Sequence, residues 1–467
     1  MSHCWGAHMP LRLLSSNIDD MQVSIPVARL SQSFKDAIQV LQWLGLDYIW
    51  IDSLCIVQDS PADWQKESAT MADVYSNSHC NIAATHAADG THGCFVERDA
   101  RLVEPLKVGV NWTQTPAVYY VAQKDYWETH VMDTPLNARA WVCQERYLAP
   151  RTLFFGGKQL FWECQCCSAS ETFSLGLPPG VERMVKSLEP NKGGAAIRRR
   201  ENVPHAPELD AFALWGEIVH QFSKGQLTFA EDKLVAVSGL ASRMHKHIQS
   251  DYLAGLWRKH LPHQLLWVVY DGERHAVYTA PSWSWASMSG RLEYGDYIND
   301  RSIVLEIQEA KTQLVNEASP FGKTKAGYIR AKGYIASAGV QLKRRFPDWD
   351  PSTLCINDKL IGVAYFDEDQ TNEEIIHRAL YYLPIQFNPA AEVHGIGRGI
   401  EGLICEAASP DSETEFKRVG RFSVIAETSY FGLFQAACRQ HSTGSQEYVA
   451  TEGWSREWGP QLEFTLV

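Results

Sequence analysis

The stretch YIWIDSLCIVQ, Tyr48 to Gln58, decides how the first third of this chain is read. With Leu46 and Asp47 ahead of it, its apolar start has the near-continuous hydrophobicity of a strand covered on both sheet faces. It closes on Asp52, followed by Ser53, Cys55 and Gln58. A strand that only packs has no use for such a cluster. Polar groups at the carboxyl ends of parallel strands face the crevice where open α/β sheets bind ligands, so Asp52 is expected to line a pocket. The alternative is that Asp52 caps the turn after it.

The flanking segments support an α/β alternation. Before the stretch, SQSFKDAIQVLQWLG places Phe34, Ala37, Ile38, Leu41 and Leu44 on one helical face, with Ser33 and Asp36 as a cap and Gly45 as the stop. After it, Asp59 or Ser60 caps a second helix and Pro61 suits its first turn. Trp64, Ser68, Met71, Ala72 and Tyr75 form the stripe of that helix. HCNIAAT then reads as a short buried strand, and a helix between two such strands makes a parallel βαβ unit. AVYYVAQ is a further strand. Trp141 to Leu148 is helical, capped by Asn137 and stopped by Pro150. RTLFFGGKQLFWEC is a hairpin turning at Gly156-Gly157.

Residues 168–204, with LGLPPG and NKGGAA, read as a linker or excursion. Residues 205–290 carry mainly helical periodicity, and 291–467 read as a mostly antiparallel β region. The first unit is assigned residues 1–167.

The 467 residues imply more than one core, and 45% apolar with 21% charged residues is the balance of a soluble globular protein. No apolar run approaches a membrane span and the start lacks a secretory signal, so a cytoplasmic location is expected. A net charge of −12 without a long basic run argues against a nucleic-acid binder; Arg198, Arg199 and Arg200 read as a solvated loop. The eleven cysteines lack the spacing of a disulfide scaffold. Cys164, Cys166 and Cys167 lie in FWECQCC, but this C-x-C-C is not a zinc-knuckle pattern and no second ligand pair follows, so no metal is expected. There is no G-x-G-x-x-G after a strand and no G-x-S-x-G. Sixteen tryptophans, several beside acids or amides as in YIWID and RAWVCQE, suggest pocket walls as well as core.

Three ordered blocks carry a resemblance: SHCWG, then DYIWIDSLCIVQDSPADWQKESATMADVYSNSHCNIAAT, then LNARAWVCQERYLAPRTLFFGGKQLFWEC. Together, over roughly residues 2–165, they resemble the heterokaryon incompatibility (HET) domain of filamentous fungi. LTFAEDKLVAVSGLA and APSWSWAS resemble regions that often follow it. The resemblance departs in two places: a strand usually precedes the S-x-x-W-G block, where Met1 stands here, and Gly225 occupies a place expected to hold arginine.

The resemblance implies non-self recognition and regulated cell death, and a TIR-like, flavodoxin-like parallel sheet. Some TIR domains hydrolyse NAD with a glutamate on a helix. By that similarity Glu145 in AWVCQE is the candidate catalytic carboxylate, with NAD a substrate and no cofactor implied. The chemistry is consistent. Breaking the nicotinamide–ribose bond releases a neutral group, so no acid is required, and a carboxylate holding a ribose hydroxyl stabilises the developing cation. Asp52 supplies a second contact. Gln58 or Gln144 can orient a water or the carboxamide, with Ser53 and Trp5 as further substrate-binding candidates. His3 can serve as an acid–base group, or be merely exposed. Trp141 shares a helical face with Glu145 and offers an indole wall to a flat cation. The bland alternative puts Trp141 in the core and pairs Glu145 with Arg139 or Arg146. Cys55 and Cys143 lie near the expected pocket; Cys55, between Leu54 and Ile56, reads as buried and inert, and Cys143 lacks an evident base.

Three functions follow: an NAD glycohydrolase linked to cell death, a non-catalytic self-associating signalling module, or a secondary-metabolism enzyme using the aromatic pocket on another small molecule.

Overall fold

Tyr48–Gln58 does not enter a sheet. Helix α1 (Gln32–Trp43) ends at Gly45, which takes a left-handed φ of 65°. The chain then runs extended to Ile51 and turns into the four-residue helix α2 (Asp52–Cys55). Its main-chain groups bond to other coil. The Met1 nitrogen donates to the Trp50 carbonyl at 2.9 Å, Leu13 N–H to the Ser53 carbonyl at 2.9 Å, and Gln58 N–H to the Leu13 carbonyl at 2.9 Å. Of these bonds only that to Trp50 falls within the expected strand, and among the described residues no strand pairs with it. Tyr48 is 92% exposed, so the expectation of a strand buried on both faces fails here. The apolar run alone did not distinguish a sheet strand from an extended surface segment.

The computed structural model describes residues 1–6, 11–110, 117–178, 188, 207–294, 303–337, 340–343, 352–356, 359–368, 379–387, 398–443 and 458–467. Arg198, Arg199, Arg200 and most of the 168–204 excursion lie outside the described residues.

The chain divides into two compact units, Met1–Leu227 with Val235–Ile248, and Thr228–Leu234 with Gln249–Val467. In the first, α1 is capped by Ser31 rather than Ser33, and it buries Phe34, Ala37 and Val40. Leu44 is left exposed. Burying the Phe34 ring contributes about 1.5–3 kcal/mol. Helix α3 (Pro61–Ser76) starts at Ser60, whose side chain accepts from Asp63 N–H, and it buries Ser68, Met71 and Tyr75. Strand β1 (Asn81–Ala83) follows, then the ribbon of β2 (Leu106–Val110) and β3 (Ala117–Val121). Helix α4 (Ala140–Leu148) begins at Arg139, not Asn137; the Asn137 amide instead donates to the Val131 carbonyl.

The expected hairpin is β4 (Arg151–Phe155) with β5 (Leu160–Cys164), extended by β6 (Ser168–Ser170). The sheet order is β1-β4-β5-β6. Its β1–β4 pair is parallel and a parallel bridge joins Ser2 to Ala83; the remaining pairs are antiparallel. The parallel contacts therefore link the chain start, β1 and β4, not the two strands read as flanking α3. Helices α5 (Pro207–Ser223) and α6 (Lys233–Ile248) fall within residues 205–290, which also hold strand residues from Val268 onward.

The second unit is β-rich. Strands β7 (Val268–Arg274) and β8 (Met288–Glu293) form an antiparallel pair. Nine strands among the described residues form the large sheet. They are β9 (Glu306–Leu314), β10 (Thr324–Gly333), β11 (Val340–Lys343), β12 (Ser352–Ile356), β13 (Lys359–Phe366), β14 (Tyr381–Phe387), β15 (Arg398–Ala407), β16 (Glu415–Ile425) and β17 (Leu462–Leu466). Every pair in this sheet is antiparallel except β16 with β17. Leu354, Ile361, Phe422 and Phe434 lie in its core. Among the described residues no helix is long and apolar enough to cross a membrane.

Candidate functional site

The first five residues bring the two predicted carboxylates to one place. Ser2 pairs with Ala83, which fixes the segment beside β1, and Asn81 donates its side-chain amide to Ser2 Oγ at 2.8 Å. Gly6 ends the segment with a φ of 67°, and a Cβ there would lie 2.3 Å from Asp89 Cβ. That contact and the left-handed backbone account for glycine after Trp5.

Asp52 forms one side of the cluster. Its Oδ2 accepts from the Trp5 indole N–H at 2.9 Å, and its Oδ1 accepts from Ser53 N–H at 2.7 Å. One oxygen thus holds the first N–H of the turn that follows, and the other holds the Trp5 indole. His3 Nε2 lies 3.6 Å from Asp52 Oδ1, beyond hydrogen-bond range, and the ring meets Phe34 edge to face. Far from being exposed, His3 is 2% accessible. The Asp52 side chain, at 18%, reaches solvent. The Gln58 amide donates to the Asp52 carbonyl at 3.1 Å and to the Ile56 carbonyl at 2.8 Å, so it closes the α2 turn. Ser53 Oγ is buried without a hydrogen-bond partner among the described residues.

Glu145 forms the inner side. The Tyr75 hydroxyl donates to Glu145 Oε2 at 2.9 Å, with the Met1 carbonyl 3.1 Å away as its other acceptor. Burial pushes the Glu145 carboxyl pKa upward, against the pull of the Arg139 guanidinium and of bonds from Ser2 and Tyr75. Arg139 in turn donates to the His3 carbonyl. Asp52 and Glu145 thus attach to the same short segment, one at its open edge and the other behind it. Tyr75 was not expected as a site residue, and Arg139 was named only in the bland alternative, as a partner of Glu145. Tyr75 read only as the end of a core stripe, although its hydroxyl needed a partner once buried.

The other predicted residues have separate duties. Trp141 meets Trp64 edge to face, with ring centroids 6.4 Å apart. Gln144 is buried, and its Oε1 accepts from Gly239 N–H at 2.8 Å. Arg146 is held by Glu163 rather than Glu145. Burial raises the Cys55 thiol pKa, which disfavours a nucleophilic thiolate. Among the described residues no group of three or more His, Cys, Asp or Glu side chains could hold a metal ion.

The second unit contains a cavity of about 1010 Å³, lined in part by Arg274, Tyr278, Lys311, Lys417 and Arg418. Arg418 is fully buried there and lies 3.1 Å from Asp367 Oδ1.

Burial also depresses the His3 pKa from 6.5 to about 4. A folded-state value below the unfolded one means that stability is intact above about pH 6.5 and declines as pH falls towards 4. The full loss attributable to His3 is about 3 kcal/mol. Glu145 acts in the opposite sense, because its raised value favours the folded state as pH falls. Denaturant titrations from pH 7 to 4 should therefore show a steeper decline for the wild type than for His3→Gln. Parallel curves would refute a buried neutral His3.

An α/β unit whose buried chain start organises two carboxylates is the class of structure defined here. Residues 1–145 match the family model described as heterokaryon incompatibility protein (HET). The matched segment runs from the buried start to Glu145, and it supports the HET family and a function related to heterokaryon incompatibility and cell death. No curated protein and no solved structure gives a match.

Proposed function

We propose that this chain acts in heterokaryon incompatibility and cell death by hydrolysing the N-glycosidic bond of NAD at the Asp52–Glu145 cluster. The supporting observation is that two carboxylates distant in sequence attach to one segment, Met1 to Trp5, with the Trp5 indole bonded to Asp52. The reading extends the HET match through the resemblance of HET domains to TIR domains; the parallel Ser2–Ala83 and β1–β4 pairings are the features of the first unit that support it.

Asp52 is the carboxylate that meets substrate, because it reaches solvent. As the ribose C1′–nitrogen bond breaks, the electron pair leaves with neutral nicotinamide and positive charge grows on the sugar. The Asp52 carboxylate stabilises that charge by holding a ribose hydroxyl, and water completes the hydrolysis at C1′. Trp5 supplies a flat wall beside it. Glu145 positions the segment from behind through Tyr75 and Arg139.

Purified full-length protein should release nicotinamide from NAD. Asp52→Asn should lower kcat/KM about 100-fold or more, the loss typical of removing one electrostatic contact to the transition state. Glu145→Gln should lower the rate while the protein stays folded. No release at high concentration of folded protein would end this reading, and equal release by all three proteins would assign the activity to a contaminant.

A second reading, a non-catalytic self-associating module, is favoured by the β2–β3 ribbon. Leu106, Val118, Tyr119 and Val121 on that ribbon are each more than half exposed, and such apolar edges pair readily with other chains. If it holds, sedimentation of the same preparation will depend on concentration, and Val118→Lys will abolish that dependence.

A further inference from the structure

Strand β5 ends at Cys164 and β6 begins at Ser168, so Cys164, Gln165, Cys166 and Cys167 make the turn between two antiparallel strands. Cys164 and Cys167 are themselves a C-x-x-C pair within the C-x-C-C pattern. Cys164 N–H donates to the Cys167 carbonyl at 3.0 Å, which closes the turn, and the two Sγ atoms stand 3.8 Å apart. Cys166 N–H points at Cys164 Sγ from 3.4 Å. Cys166 is exposed, and the other two are partly exposed.

The two thiols of the pair differ in character. Burial opposes ionisation of Cys164, yet hydrogen bonds from the Cys166 and Cys167 backbone and from the Trp162 and Cys167 side chains together draw its pKa below the ordinary thiol value. Burial and then the neighbouring Cys164 push Cys167 upward. One sulfur is suited to attack and the other to wait as a thiol, the division of labour that reversible dithiols need.

We infer that Cys164 and Cys167 form a reversible dithiol–disulfide site that exchanges with low-molecular-weight disulfides of the glutathione type. The Cys164 thiolate attacks one sulfur of glutathione disulfide, forming a mixed disulfide and expelling a glutathione thiolate. Cys167 then gives its proton to that thiolate, and its sulfur attacks Cys164 Sγ. A second glutathione thiolate leaves and is protonated by water. Counted from the dithiol, with the Cys164 proton released to water on ionisation, the protein loses two electrons and two protons, and glutathione disulfide becomes two thiols. The small separation of the two Sγ atoms makes the second step intramolecular and favours it over capture by another thiol. Cys166, with its side chain in solvent, takes no part.

The full-length protein, incubated with glutathione disulfide and quenched with N-ethylmaleimide, tests this directly. Trypsin releases Gln159–Arg183, a peptide that carries Cys164, Cys166 and Cys167 and no other cysteine. The expected peptide has one maleimide, on Cys166, and regains three after dithiothreitol. Cys166→Ser should still lose two labels. Cys167→Ser should stop at the mixed disulfide on Cys164. Three labels retained after exposure to excess glutathione disulfide, or a disulfide that includes Cys166, would overturn the assignment. Unchanged circular dichroism of the Cys166→Ser and Cys167→Ser proteins keeps a folding defect from imitating either result.

Discussion

Glu163→Gln is expected to destabilise the first unit by about 3–5 kcal/mol, the cost of leaving one member of a buried ion pair without its partner. The Glu163 side chain is inaccessible, and that of Arg146 is 4% exposed. The guanidinium meets the carboxylate through two parallel bonds, Nε to Oε2 at 2.7 Å and Nη2 to Oε1. Burial alone would lower the pKa of Arg146; the Glu163 charge outweighs it and holds the group above its ordinary value. Arg146 also reaches Met132 Sδ and lies over the Trp127 ring, so it has packing duties beyond charge. Replacing both members, as in Arg146→Met with Glu163→Leu, should recover most of the loss, because neither charge is then stranded. Hydrogen exchange of the amides from 140 to 164 measures both variants. Protection unchanged in Glu163→Gln would show the pair to be dispensable.

Gly225→Ala should cost about 3 kcal/mol, at the upper end of ordinary overpacking, because the obstruction is backbone. A Cβ at Gly225 would lie 2.5 Å from Ala140 Cα and 2.6 Å from Ala140 N. The close approach is held by a ladder: Gln226 N–H donates to the Ala138 carbonyl at 2.7 Å, and Ala140 N–H donates to the Gln226 carbonyl at 3.0 Å. This contact anchors the amino-terminal end of α4, the helix that carries Glu145 and Arg146. The arginine expected at this place has no room, and Gly225→Arg should be worse than alanine. Thermal melting of the three proteins orders them. A melting temperature of Gly225→Ala equal to that of the wild type would show that the two backbones separate without penalty.

Periodicity located α1, α3, α4 and the β4–β5 hairpin because each signal is local: a 3.6-residue stripe, a serine before proline, a Gly-Gly turn. Caps were less well placed. Ser31 was missed for Ser33, since either serine can accept a first-turn N–H and only the chain path decides which does. The strand assignment for Leu46–Asp52 failed for a related reason. An apolar extended segment becomes a strand only when another backbone lies in register beside it, and here the Met1 nitrogen takes the Trp50 carbonyl while Leu13 bonds to the turn that follows.

From sequence alone came the ordered blocks, the β-rich second half and the naming of Asp52 and Glu145 as acids worth following. Residue type and spacing carry that much, because chemistry and helical period are written locally. Tertiary structure decided which acid faces solvent, which is sealed behind Tyr75, that Arg146 belongs to Glu163, and that Gly225 must lack a side chain. Those outcomes depend on burial and on approaches between residues far apart in the chain, and no local window of sequence contains either.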